Sequence, residues 1–130
     1  MIDLHIKTQR LPNGIMTISA EGSVDAYTAD RLEKVIKGHF TRKDYRLIMD
    51  LTDVDYLGSA GLAIFIRAIG TAWENNGDIV IMRPRANVRD VFDLVGLSRV
   101  FTLTNNIKSA LGAFKYYLKN WSPETKQVTE

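Results

Sequence analysis

The residues best placed to do chemistry lie together in "DLTDVDYLGSAGLAIF", numbers 50 to 65. Three carboxylates, Asp50, Asp53 and Asp55, lead into a Gly-Ser-Ala-Gly junction with one hydroxyl, Ser59, after which the chain turns apolar and helical. Such a serine has four uses: nucleophile, part of a phosphate cradle, acceptor of a phosphoryl group, or helix cap. A nucleophile elbow needs Gly-x-Ser-x-Gly, because the glycines allow its strained strand-to-helix turn. Position 57 is Leu, so only Gly61 of that pair is present. A nucleophilic serine also needs a base. The chain has no cysteine and two histidines. His5 falls on the polar face of a strand pattern and His39 at the expected solvated end of a helix, so both read as surface histidines. Hydrolysis is disfavoured.

"GSAG" lacks the longer glycine spacing and the lysine of a Walker loop, and it is no dinucleotide fingerprint. The aspartates invite a magnesium reading, but without a second carboxylate cluster they read better as solvated loop charges. As a cap, Ser59 would offer its oxygen to an orphan N–H of the first turn, with Gly58 easing the turn. Capping does not explain why Leu62, Ala63, Ile64, Phe65 and Ile66 follow in succession. One apolar face suffices for a core, so some of Gly61, Ala63 and Ile64 are expected to face outward or to face a partner.

The elements that must hold this junction follow from periodicity. "IDLHIKT" alternates Ile2, Leu4 and Ile6 with polar residues, and "IMTISAEG" alternates Met16, Ile18 and Ala20. Asn13-Gly14 between them tolerates positive φ, which predicts an antiparallel hairpin. From Ala26 the period becomes helical, with Ala29, Leu32, Val35, Ile36 and Phe40 on one face and Asp25 as its N-cap. "YRLIMDL" (45–51) and "DIVIM" (78–82) are the continuous apolar runs of strands covered on both faces. The helix opened by Ser59 lies between them, which predicts a parallel crossover. A short helix, "NVRDVFDLVG", with Val88, Phe92 and Val95 inward, then a brief strand at "RVFTL", come next. The final helix has Ile107, Leu111, Phe114 and Leu118 on one side. Tyr116, Tyr117 and Trp121 would seal the sheet or support self-association. The order ββαβαβα predicts an α/β domain with a mixed four- to five-stranded sheet, its first two strands a hairpin, and about four helices.

The 130 residues suit one domain, spanning 1–121, followed by a polar, frayed tail at 122–130. With 17 basic and 15 acidic residues the chain is near charge balance, which argues against a nucleic-acid partner. "RPRANVR" (83–89) is the one basic cluster, and it reads as the solvated start of the short helix before an anion patch. No apolar run approaches 18 residues and the first residues are no signal peptide, so neither membrane insertion nor export is expected. These features predict a cytoplasmic protein.

"LIMDLTDVDYLGSAGLAIF" resembles the signature of STAS domains, most closely the single-domain anti-sigma-factor antagonists of bacteria. That pattern is a strand ending in Asp-Leu, a short loop, then Asp-Ser-[Ser/Thr/Ala]-Gly-Leu opening a helix. "SAEGSVDAYTADRLEKVI" and "GDIVIMRPRANVRDVFDLVGLSRVF" are similar to two further family segments, in the right order and spacing. The resemblance implies the STAS fold and a non-enzymatic partner switch without a cofactor. In such proteins the serine matching Ser59 is phosphorylated by a serine kinase that is also an anti-sigma factor, and ATP is used by that kinase. The unphosphorylated antagonist binds the kinase and releases the sigma factor, and a PP2C-type phosphatase restores it. Asp25 matches the acidic residue near the phosphoserine. Gly58, Ala60, Gly61, Leu62, Ala63 and Ile64 fall where the partner binds, and a monomer or weak dimer is expected. The chain departs from the pattern at Gly58, where an acidic residue usually precedes the serine. With the apolar run 62–66, that departure motivates an alternative, a non-phosphorylated STAS scaffold subunit of a phospholipid-transport ABC complex.

Overall fold

A computed structural model describes residues 3–120, with side chains as far as Phe114. Tail residues 122–130 and the side chains of Tyr116, Tyr117, Leu118 and Trp121 lie outside that range. Five strands form one sheet in the order β1-β2-β3-β4-β5. They are β1 (Leu4–Arg10), β2 (Met16–Val24), β3 (Arg46–Leu57), β4 (Asp78–Met82) and β5 (Thr102–Thr104). β1 runs antiparallel to β2, and the remaining pairs are parallel. Asn13 and Gly14 turn the hairpin at φ 71° and 74°, the left-handed backbone that asparagine and glycine tolerate best.

Helices α1 (Ala29–Thr41), α2 (Ser59–Glu74) and α3 (Ala86–Leu94) make the three parallel connections, and α4 (Ile107–Asn120) closes the chain. The larger core joins one sheet face, Met16, Ile18, Leu47, Met49, Ile79 and Ile81, to Leu32, Ile36, Phe65, Ile69 and Phe92 of α1 to α3. Phe65, Phe92 and Phe101 meet ring to ring with centroids 5.6–6.3 Å apart. The other face of β3 and β4, Ile48, Val80 and Met82, packs on Ala110 and Phe114 of α4. Both central strands are thus covered on both sides, which explains their unbroken apolar runs. The expected stripe on α4 shifts: Ala110 and Phe114 are buried, whereas Ile107 is 38% exposed.

Two expectations are corrected. Helix α1 starts at Ala29, not at Ala26, because residues 25–28 form a turn first. Asp25 Oδ1 accepts the backbone N–H groups of Tyr27 and Thr28 at 2.9 and 3.1 Å, and the Thr28 hydroxyl donates to the Ser23 carbonyl at 2.7 Å. β3 runs on to Leu57 through what the sequence suggests is an acidic loop. Between the β2 partners Ser19 and Glu21 it advances from Asp50 to Asp53, and between Gly22 and Ser23 from Val54 to Tyr56. Each step inserts one extra residue, a β-bulge that bends the strand and re-aims side chains. Leu51, Val54 and Leu57 therefore all point into the core, while Asp53, Asp55 and Tyr56 are exposed.

Candidate functional site

The bulged end of β3 delivers the chain to the edge of the sheet where β2 also ends. The Gly58 N–H donates to the Val24 carbonyl at 2.9 Å, joining the two strand ends, and the Gly58 carbonyl accepts the Leu62 N–H at 3.1 Å. Helix α2 starts there, with Gly58 as its N-cap and Ser59 as its first residue. This corrects the expected cap, because Ser59 lies one position inside the helix and no side chain caps α2. The first turn also carries no acidic residue. No side-chain cap or first-turn carboxylate therefore offsets the positive end of the helix dipole, beside an exposed hydroxyl.

Bulges leave backbone carbonyls without ladder partners, and such groups need others. Arg85 Nε donates to the Thr52 carbonyl at 3.0 Å, and Asn87 Nδ2 to the Asp55 carbonyl at 2.9 Å. The "RPRANVR" segment therefore clasps the strand that leads to Ser59. Val88 and Phe92 of α3 are fully buried as expected, but Val95 follows the helix, next to Gly96 with its φ of 79°, and is 53% exposed.

The three aspartates take separate partners. Asp50 accepts the Thr52 N–H and hydroxyl at 3.0 and 2.5 Å, and Asp55 accepts the Ser23 hydroxyl at 2.7 Å. Asp53 lies 3.9 Å from Arg85. Among the described residues no group of three or more metal-binding side chains converges.

The apolar run after Ser59 is resolved by packing. Gly61 and Ile64, two of the residues expected to face outward, point inward. Ile64 is 2% exposed. A Cβ on Gly61 would come within 2.5 Å of Leu57 Cδ1 and 2.7 Å of Val24 Cγ1, so α2 is seated directly on the two strand ends. Gly58, Ala60, Leu62 and Ala63 are part-exposed, Ser59 is exposed, and Ile66, missed by the sequence reading, is 50% exposed. Tyr27, in the turn after β2, and Tyr56, near the end of β3, also missed, are 93% and 54% exposed. Their signal was an aromatic in a turn and one beside the junction. Asp25 stands in the same loop as Tyr27, its Oδ1 engaged by the turn it caps.

Neither histidine is brought to Ser59. His5 pairs with Asp3 at 3.9 Å on β1. His39 is not the expected surface residue: it is 3% exposed at the end of α1, with Nδ1 3.8 Å from Asp44 and 3.4 Å from Arg42. Burial holds its pKa below the usual imidazole value, and Arg42 adds to that. Hydrogen bonds from Arg10 hold the Asp44 carboxyl below the usual carboxylate range.

Three comparisons bear on this arrangement. The family model described as STAS domain matches residues 7–110. The anti-sigma-F factor antagonist RsfB of Mycobacterium tuberculosis is 30% identical over 99 residues, which cover 76% of this chain and 80% of that protein. The crystal structure of an anti-sigma factor antagonist from Mycobacterium paratuberculosis superposes with a TM-score of 0.79 at 26% identity, over 87% of this chain and 95% of that one. SpoIIAA of Bacillus in its phosphorylated form shares the fold, with a TM-score of 0.68 at 14% identity, over 84% of this chain and 98% of that one.

Proposed function

Because the chain belongs to the STAS domain family, we propose that it is an anti-sigma-factor antagonist whose Ser59 is the phosphoryl acceptor. In its unphosphorylated form it binds an anti-sigma factor that is also a serine kinase, and the sigma factor is released. Transfer of the ATP γ-phosphoryl group to Ser59 switches the chain off, and a PP2C-type phosphatase resets it. The observation that carries the reading is Ser59 itself: an exposed hydroxyl on the first residue of a 16-residue helix with no acidic residue in its first turn.

Phosphorylation adds about −1.5 to −2 charge at pH 7. The open N-terminus of α2 offsets part of that by roughly 0.3 to 2 kcal/mol, so the domain stays folded. At a closed interface the same dianion must shed its water. An uncompensated buried charge costs about 3–5 kcal/mol, and each 1.4 kcal/mol is about tenfold in affinity. Binding is lost while the fold is kept. The exposed Tyr27, Tyr56 and Ile66 supply the apolar and aromatic contacts that interface cores favour.

The test uses the anti-sigma-factor kinase of the same genome and ATP, read by intact mass. Wild type gains one phosphate and Ser59→Ala gains none. A wild-type chain that binds the kinase yet stays unmodified under turnover refutes the switch and leaves a constitutive scaffold.

A further inference from the structure

Gly58 enters α2 at φ −93° and ψ −178°, extended backbone open to any residue. Its missing side chain therefore answers to space. A Cβ there would lie 3.0 Å from both Cε2 and Oη of Tyr56 and 3.3 Å from Cζ, inside the ordinary carbon separation of about 3.5–4.0 Å. The outer edge of the phenol ring thus rests over the glycine, one residue from Ser59. The second bulge of β3 puts it there by turning Tyr56 outward along with Asp55. The ring is 54% exposed, so it is no part of the core, yet it lies against backbone rather than standing free in solvent. A large side chain with two torsions, partly seated before any partner arrives, offers contact area at low entropic cost, which is why tyrosine is enriched among the residues that dominate protein interfaces.

We infer that Tyr56, seated on Gly58, is a specificity-determining contact through which the kinase recognises the Ser59 site. The inference rests on the reading of Ser59 as phosphoryl acceptor. A side chain at 58 would press on the ring and shift it by a few tenths of an ångström, so the two positions are coupled.

The experiment measures steady-state kcat/KM for phosphate transfer to Ser59 by the kinase that modifies the wild-type chain. Its substrates are wild type, Tyr56→Phe, Tyr56→Ala, Gly58→Ala and the Tyr56→Ala/Gly58→Ala double variant. Tyr56→Ala loses about tenfold or more, mostly in KM, and Tyr56→Phe, which keeps the ring, stays within about threefold of wild type. Gly58→Ala lowers kcat/KM in the wild-type background and adds little once the ring is gone. Melting temperatures of the five proteins separate these effects from loss of fold. Unchanged kcat/KM in Tyr56→Ala, or an equal Gly58→Ala penalty in both backgrounds, overturns this inference alone. A wild-type chain that takes no phosphate overturns the reading of Ser59, and this inference with it.

Discussion

Gly61→Ala tests how α2 is seated. The added methyl would stand 2.5 Å from Leu57 Cδ1 and 2.7 Å from Val24 Cγ1, about 1 Å short of ordinary carbon contact on both sides. Leu57 is 4% exposed and Val24 fully buried, so neither has a free rotamer to yield into. Overpacking of this kind costs about 1–3 kcal/mol, and two simultaneous clashes place it in the upper half. Against that, alanine gains about 0.8–1.0 kcal/mol over glycine in a helix interior. The expected net loss is about 1–2 kcal/mol, or about 4–8 °C in Tm at this chain length. Gly70 lies on the same helix, and a Cβ there meets nothing within 4 Å. Gly70→Ala should therefore raise Tm by about 2–4 °C, from propensity alone. Thermal and urea unfolding of the two variants beside wild type is sufficient. A Gly61→Ala protein as stable as Gly70→Ala would refute the close seating of α2 on the strand ends.

Phe92→Ala removes a fully buried ring that meets both Phe65 and Phe101, and urea unfolding should show a loss of about 3–5 kcal/mol. Ser59→Ala takes away an exposed hydroxyl that caps nothing, so its urea midpoint should imply a change within about 0.5 kcal/mol of wild type. His39 has its folded-state pKa depressed by burial, so the unfolded chain binds the extra proton first. Stability should fall as pH drops below the ordinary value of 6.5, and urea midpoints between pH 8 and 5 should show this limb flattened in His39→Gln. The lowered carboxyl of Asp44 adds a separate loss further into acid, as pH falls from its ordinary value of 3.8 towards the lowered one, and that loss should persist in His39→Gln.

Most of the sheet was legible because its strands obey period two or are apolar throughout. Asn13-Gly14 fixed the hairpin, and DIVIM is β4 to the residue. The second half of β3 was not legible, because its buried residues, Leu51, Val54 and Leu57, recur every third position. Only a strand with two bulges buries that spacing, and bulges have no composition of their own. The start of α1 was misplaced since Asp25 caps a turn before it caps a helix, and a helical wheel counts both alike. Ser59 stood out through the glycines around it. The outward face of α2 did not, because residues 60–66 are small or apolar at every position and offer no contrast from which to read a face. His39 lies at the end of α1 just before the polar run Thr41–Asp44 in sequence, and the return of the chain at Asp44, with the hairpin end at Arg10, brings charged partners to it.

The scaffold alternative drew on two features, and packing changes the weight of both. The apolar run of α2 is consumed inward by Gly61, Ile64 and Phe65, with Leu62 partly buried against the same core, which leaves Ala63 and Ile66 as its outward remainder, so the run no longer demands a permanent partner. Gly58 lies under the outer edge of the Tyr56 ring, so a permanent partner is not the one neighbour that bears on the side chain at this position. A permanent interface gains nothing from keeping a hydroxyl exposed at an uncapped helix start, where a serine one position earlier would stabilise α2 by about 1 kcal/mol. On the proposed reading, a phosphoryl group on this exposed hydroxyl would stand at the positive end of the α2 dipole, with no side-chain cap to displace, and would bear on what docks from outside.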